Sequence, residues 1–361
     1  MLIPEQSLPQ ELEIPDQTQF EVKASRNLVQ WLREQKVSLA FTTPPLKLFL
    51  IGVKTDNRLS IFERTFNRCL GIATTQNSLY LSTRYEIWKL ENVLPQGQIM
   101  NDGYDKQYVP RIVYRTGFLG IHDVAVDNSG RVIFVNTRFG CLATLSERYS
   151  FIPLWHPPFL SGIRPGDRCH LNGLAMKDGS PAYVTSVSQT DEFDGWRQHR
   201  ANGGCIVDVK TNDVIVTGLS MPHSPRWYQD RLWLTNSGTG EFGYVNFATG
   251  RFEPIVFAPG FLRGLCFVGD YAVVGSSKPR HGDIYSGLAL DDALKKHGEA
   301  PRLGFFIINL RTGEIENWLL LEGNLRELYD VVALPLVRQP MALGLISEEI
   351  QNQIWFNPFP S

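Results

Sequence analysis

The stretch HLNGLAMKDGSPAYVTS, residues 170–186, reads as two short β-strands around Asp178–Gly179. An Asp-Gly pair between two apolar, β-rich runs specifies a hairpin, because both residues accept the positive φ of a tight turn. What decides the fold is its recurrence. The same kind of pair returns as RCLGIATTQNSLYLSTR (68–84), IHDVAVDNSGRVIFVNT (121–137), PHSPRWYQDRLWLTNS (222–237), LRGLCFVGDYAVVGSS (262–277) and ELYDVVALPLVRQPMALGL (327–345). The six pairs begin near Leu70, His122, Asn172, His223, Arg263 and Tyr329. Most starts lie about 40–53 residues apart, the period of a four-stranded propeller blade.

A second kind of hairpin fills the gaps, as in IVDVKTNDVIVTGL (206–219), GYVNFATGRFEPIVF (243–257) and FFIINLRTGEIENWLLL (305–321). The reading is therefore an all-β chain forming a six-bladed β-propeller. The last inner pair, 328–345, has no outer hairpin after it. The stretch LKLFLIGVKTDNRLSIFERTF, 46–66, is an outer hairpin with no inner pair before it. N-terminal outer strands joining C-terminal inner strands would close the ring and leave no open edge. Residues 1–36 form an N-terminal extension with one amphipathic helix at 25–35, Ser25 being its expected N-cap. Residues 37–361 form a single propeller domain with an insertion at 278–302 that holds a short helix at 291–297.

The 361 residues are 43% hydrophobic and 20% charged with a formal charge of −2, an ordinary globular balance. No basic surplus exists to neutralise phosphates, so nucleic acid is not an expected partner. No long apolar run predicts a membrane span, and the acidic N-terminus is unlike a secretory signal. The five cysteines are scattered, without a C-x-x-C pair, which predicts reduced thiols and a cytoplasmic location. There is no G-x-S-x-G elbow, P-loop or H-E-x-x-H, so no nucleotide cofactor is expected. The oligomeric state is open.

Residues at the start of the innermost strands of a propeller gather at one mouth of its channel, a natural concave site. Alignment of the six pairs places His122, Asn172, His223, Arg263 and Tyr329 there, with Leu70 as the apolar exception. Arg68, His170 and Glu327 lie two residues earlier than their partners and share a face with them. Three imidazoles make His122, His170 and His223 the candidate ligands of a divalent transition metal, Fe or Zn. A metal-free acid–base site fits as well, with a histidine as base and Arg263 steadying negative charge. Glu327 and Tyr329 are candidate proton carriers. Asn172, Arg68, Trp196 and Arg197 are candidate substrate contacts, the last two from the long loop QTDEFDGWRQHRANGG (189–204) that could close over the mouth. Lys278, Arg280, His281 and Asp283 open the late insertion with similar reach. Asp123 should point away from His122, with a structural role, and Cys169 should lie in the core. Two functions stay open. One is an enzyme with metal-assisted hydrolase, lyase or oxygenase chemistry on a polar or anionic substrate. The other is a non-catalytic module that binds a small molecule or peptide.

At GIHDVAVD (120–127), RCHLNGLAM (168–176), MPHSPRWY (221–228) and FLRGLCFV (261–268) the chain resembles an uncharacterised bacterial family found in cyanobacteria and proteobacteria. The likeness runs from about Val37 to Phe356. It implies a β-propeller and brings no activity or site residue. More distantly the chain is similar to six-bladed propellers of the gluconolactonase and strictosidine-synthase type. Those lactonases hold a cation with Glu, Asn and Asp. Only Asn172 and Glu327 fit such a set here, and the histidines depart from it.

Overall fold

A computed structural model describes residues 20–44, 47–279, 286–344 and 348–356. Six sheets, antiparallel but for one edge pair, follow one another around a ring. Blade 1 combines Asp330–Pro335 as its inner strand with Val37–Thr43, Lys47–Val53 and Leu59–Thr65. Blades 2 to 5 are built from consecutive strands. Their inner strands are Ile72–Thr74, Ile121–Val126, Leu171–Lys177 and Pro222–Tyr228. Blade 6 starts at Phe261–Val268 and ends at Ile315–Gly323.

The ring is closed by its two ends, but the split differs from the expected one. The C-terminus supplies a single strand, and the N-terminus supplies three. Val37–Thr43 is buried along its whole length and takes the place expected for residues after Leu336. Pro340–Ala342 instead pairs in parallel with Lys106–Arg115 on the outer edge of blade 2. The prolines at 335 and 340 bracket a segment that cannot donate a full ladder, which is why it suits an edge and not a blade centre.

The N-terminal extension is tied into the ring as well. Phe20–Ala24 adds a fifth strand to blade 6. The helix, Leu28–Glu34, buries Leu28, Trp31 and Leu32 in the core shared by blades 6 and 1, against Phe41, Phe49 and Phe305. Ser25 does not cap it. Its hydroxyl donates to Asn317 Oδ1 and accepts the Trp318 N–H, so it pins the extension to blade 6. The insertion carries a helix at Ala289–His297, ended by Gly298 in the left-handed conformation.

Neighbouring blades are linked by one repeated device. A hydroxyl near the end of a second strand donates to a carbonyl at the start of the next blade's inner strand. Thr42 reaches Leu70, Ser82 reaches Ile121, Thr137 reaches Leu171 at 2.7 Å, Ser237 reaches Leu262 and Ser277 reaches Leu328. Between blades 4 and 5 the donor is the amide of Asn172, to Pro222. These carbonyls are buried, so removing the donor leaves an acceptor without water. Thr137→Val is expected to cost about 1–2 kcal/mol, read as a lower urea midpoint with unchanged slope.

The centre of the ring alternates. Blades 2, 4 and 6 carry Gly71, Gly173 and Gly264 where blades 3 and 1 carry Asp123 and Asp330. A Cβ on Gly264 would lie 2.8 Å from the Asp330 Cα, and its φ of +78° suits glycine. The glycines let neighbouring inner strands approach closely, and Arg226 of blade 5 lies among the acids at the centre. It reaches Asp123 at 2.7 and 3.2 Å and Asp330 at 3.5 Å. Each carboxylate also accepts two backbone N–H groups. Asp123 takes those of Val124 and Leu174, and Asp330 those of Val331 and Ile72. Asp123 thus has the structural role its alternation with His122 predicts.

Candidate functional site

Just beyond this charged centre, the first residues of the inner strands come together. His122 lies between two rings, edge to face with His170 at 4.8 Å and with Tyr329 at 5.5 Å between centroids. Arg263 continues the series. Its guanidinium sits 5.1 Å from the Tyr329 ring and 5.0 Å from the Phe261 ring, and 3.3 Å from Glu327. His223 packs edge to face on Phe261 at 5.4 Å. Arg263, Glu327, Tyr329 and His223 are buried, whereas His122 and His170 reach solvent in part.

Each of these three imidazoles is held by its Nδ1. His122 Nδ1 lies 3.0 Å from Asn172 Oδ1, and the Asn172 amide nitrogen donates to Pro222, which fixes the orientation of that amide. His223 Nδ1 donates to the Met221 carbonyl at 2.8 Å and meets the Ser237 hydroxyl at 2.9 Å. His170 Nδ1 faces both carboxylate oxygens of Asp167 at 2.9 Å. A proton on Nδ1 in each ring leaves Nε2 with its lone pair. The His223 Nε2 is buried with no hydrogen-bond partner among the described residues.

Burial and then the adjacent His170 hold His122 well below the usual imidazole range; burial and then Arg263 do the same to His223. Both stay neutral in the folded protein while an unfolded chain would protonate them near pH 6.5. The unfolded state therefore binds more protons below that pH, and stability is lost as pH falls. As pH falls below about 6.5, the wild type is expected to lose stability faster than His223→Asn, by up to about 1.4 kcal/mol per pH unit, measured by urea unfolding.

Asp167 is the residue that the sequence reading missed. It follows the Arg164-Pro165-Gly166 turn, and its N–H and that of Gly166 both donate to the Arg138 carbonyl at 3.1 Å. Trp196 then locks the pair from above. Its indole lies 4.2 Å from the His170 ring, and its N–H donates to Asp167 at 3.2 Å. Asp167 and His170 both have left-handed φ values, +43° and +54°, as do Arg68 at +57° and Met221 at +46°. Such backbone costs energy in non-glycine residues and collects at functional sites. A D-x-x-H spacing on an irregular loop carries no periodic signal, which is why only the fold exposes it.

The other expected contacts divide. Trp196 is buried against His170, so the loop 189–204 does cover this end of the ring. Arg197 stacks on the Trp196 ring and pairs with Asp194, exposed to solvent. Asn172, expected to touch substrate, has its amide engaged on both sides within the protein. Arg68 is exposed at the rim. Cys169 is fully buried with its thiol pushed up to about 12 by burial. Arg280, His281 and Asp283 lie outside the described residues. A surface cavity of about 430 Å³ lies beside the covering loops, lined by Arg164, Arg168, Asp191 and Phe193. Its Arg168 is buried in an ion pair with Asp191, so it presents less open chemistry than the histidines.

Among the described residues no three His, Cys, Asp or Glu side chains are grouped to hold a metal ion. His122 and His170 meet edge to face, and His223 packs on Phe261.

Comparison with known proteins gives the fold and a family. The profile of a family described as "domain of unknown function (DUF4915)" matches residues 26–343. No curated protein matches the sequence. Among solved structures, the chain is similar to one in a nidogen/laminin complex, with TM-score 0.51 and 11% identity over 83% of this chain and 99% of that one. It is also similar to a catalytically inactive variant of virginiamycin B lyase from Staphylococcus aureus with quinupristin, with TM-score 0.39 and 9% identity over 84% and 99%. At 11% identity the first of these likenesses shows the propeller fold alone.

Proposed function

We propose that this chain, which belongs to the family of unknown function DUF4915, is a proton-transfer enzyme working at the ring mouth on a small carbonyl compound. The observation that carries this reading is the Asp167–His170 pair, closed over by Trp196. A carboxylate on Nδ1 fixes the tautomer, orients the ring and stabilises the imidazolium that forms when Nε2 takes a proton. In the proposed step, His170 Nε2 removes a proton from the carbon next to a carbonyl. The C–H electron pair moves into a new C=C bond, and the carbonyl oxygen becomes an enolate. Arg263 supports that oxygen, held between Phe261 and Tyr329 with Glu327 beside it. Return of a proton from the imidazolium, or loss of a leaving group from the neighbouring carbon, completes an exchange or a lyase reaction.

The test works whichever carbonyl compound is the substrate. Purified protein is incubated in D2O with a mixture of small carbonyl compounds, and deuterium uptake is read by mass spectrometry. Uptake is expected with wild type and lost with His170→Asn. No uptake, or uptake indifferent to His170, would remove the proton-transfer reading. Metal analysis of the same untagged protein covers the alternative. Near-stoichiometric Fe or Zn that is lost in His122→Ala, His170→Ala and His223→Ala would favour metal-assisted chemistry instead. Retained ligand binding without any turnover would favour the binding module.

A further inference from the structure

At the rim beside His122 and His170, two guanidiniums flank one exposed aromatic ring. Arg68 lies 5.8 Å and Arg138 5.4 Å from the centroid of Phe118, which is 41% exposed. Neither guanidinium has a hydrogen-bond or ion-pair partner among the described residues. The surrounding arginines differ in this respect. Arg263, Arg226, Arg168 and Arg197 each pair with a carboxylate.

Both rim arginines are tied to the proposed chemistry. Arg138 offers its carbonyl to the N–H groups of Gly166 and Asp167, while its own N–H donates to Leu119, next to Phe118. Arg68 is close enough to contribute to the depressed basicity of His122. Its backbone sits at φ +57°, a conformation an arginine takes only when its surroundings impose it. Like charges gathered around one aromatic ring repel each other, and an oxyanion that reaches both relieves that repulsion.

We infer that Arg68, Phe118 and Arg138 form an oxyanion subsite that grips a phosphate or carboxylate group on the substrate, away from its reacting carbon. The word substrate rests on the proton-transfer reading; the anion site itself does not. Guanidinium forks match both oxyanions, and the phenyl face packs the carbon chain between the two ends of the molecule.

The probes are inorganic phosphate and malonate, each titrated calorimetrically against a matched concentration of chloride. Wild type is expected to bind at least one of them. Arg68→Gln and Arg138→Gln should each weaken binding about tenfold or more, and the double variant should abolish it. Thermal unfolding checks that the variants remain folded, which is expected because both side chains reach the surface. Arg68→Lys, which keeps charge but loses the fork, should fall between wild type and Arg68→Gln. His170→Asn should bind the anion as wild type does. Preference for phosphate or for malonate identifies the substrate's distal group. Equal binding by wild type and the double variant, or no binding by wild type, overturns the subsite. Anion binding that survives while deuterium uptake fails would discard the proton-transfer reading and leave the subsite standing.

Discussion

Arg226→Met is expected to destabilise the protein by about 3–5 kcal/mol at pH 7, because it takes the cation from two buried acids in the centre of the ring and leaves Asp123 charged without its partner. Asp123 and Asp330 have side chains that are 5% and 4% exposed. Water cannot replace the guanidinium there. The two acids stand on blades 3 and 1 and the arginine on blade 5, so the network braces alternate blades. Asp330 also belongs to the one strand that the C-terminus supplies to blade 1, so losing its partner loosens the closure of the ring. Burial pushes the Asp330 carboxyl up to about 7 even with Arg226 present. For an acid raised in the folded state, the folded protein binds the extra proton, so stability falls as pH rises from about 4 towards 7. The deficit of Arg226→Met should accordingly shrink as pH is lowered from 7 to about 5, where protonated Asp330 no longer needs the cation. Urea unfolding at the two pH values measures this. Adding Asp123→Asn and Asp330→Asn to Arg226→Met should recover only part of the loss: no unpaired charge then remains, but each new amide nitrogen faces a backbone N–H that a carboxylate oxygen had accepted. A single variant as stable as wild type would show that the network contributes nothing to the fold.

The propeller was legible because its strands repeat. Blades 2 to 6 each carry the same inner pair in consecutive sequence, so an irregular turn in one is balanced by the other four. The position of the mouth residues followed from the same alignment: His122, Asn172, His223, Arg263 and Tyr329 occupy equivalent places. The alternation of Gly71, Gly173 and Gly264 with Asp123 and Asp330 stood in the same columns. Its meaning depends on how closely inner strands converge, which only three dimensions show. The closing blade was harder. VSLAFTT (37–43) has neither the turn nor the partner hairpin that marks other strands, and its place is set by Asp330–Pro335 from the far end of the chain. Asp167 and Arg138 were invisible for a related reason. Both sit on irregular loops, and each matters through a contact that no periodicity encodes.

Asp167→Asn is expected to slow deuterium uptake by about 10²–10⁴-fold while leaving anion binding at the rim unchanged. The carboxylate accepts the Nδ1–H of His170 and the indole N–H of Trp196. An asparagine offers one carbonyl oxygen to those two donors, and its amide nitrogen cannot accept. If the oxygen stays with Trp196, the NH2 faces Nδ1 and favours the tautomer with its proton on Nε2. That tautomer has no lone pair where the substrate proton must go. If the oxygen stays with His170, the tautomer survives but the negative charge that stabilises the imidazolium is gone. Both routes slow proton transfer, and neither touches Arg68 or Arg138. Side-chain ¹⁵N spectra of His170 separate them, since the two tautomers differ in which ring nitrogen carries hydrogen. Asp167→Glu, which keeps the charge on a longer arm, should recover part of the rate. A purely structural Asp167 predicts something else: lower thermal stability, an unchanged His170 tautomer and a rate within about threefold of wild type per folded molecule. That result would leave His170 without its orienting partner and the proposed base without its main support.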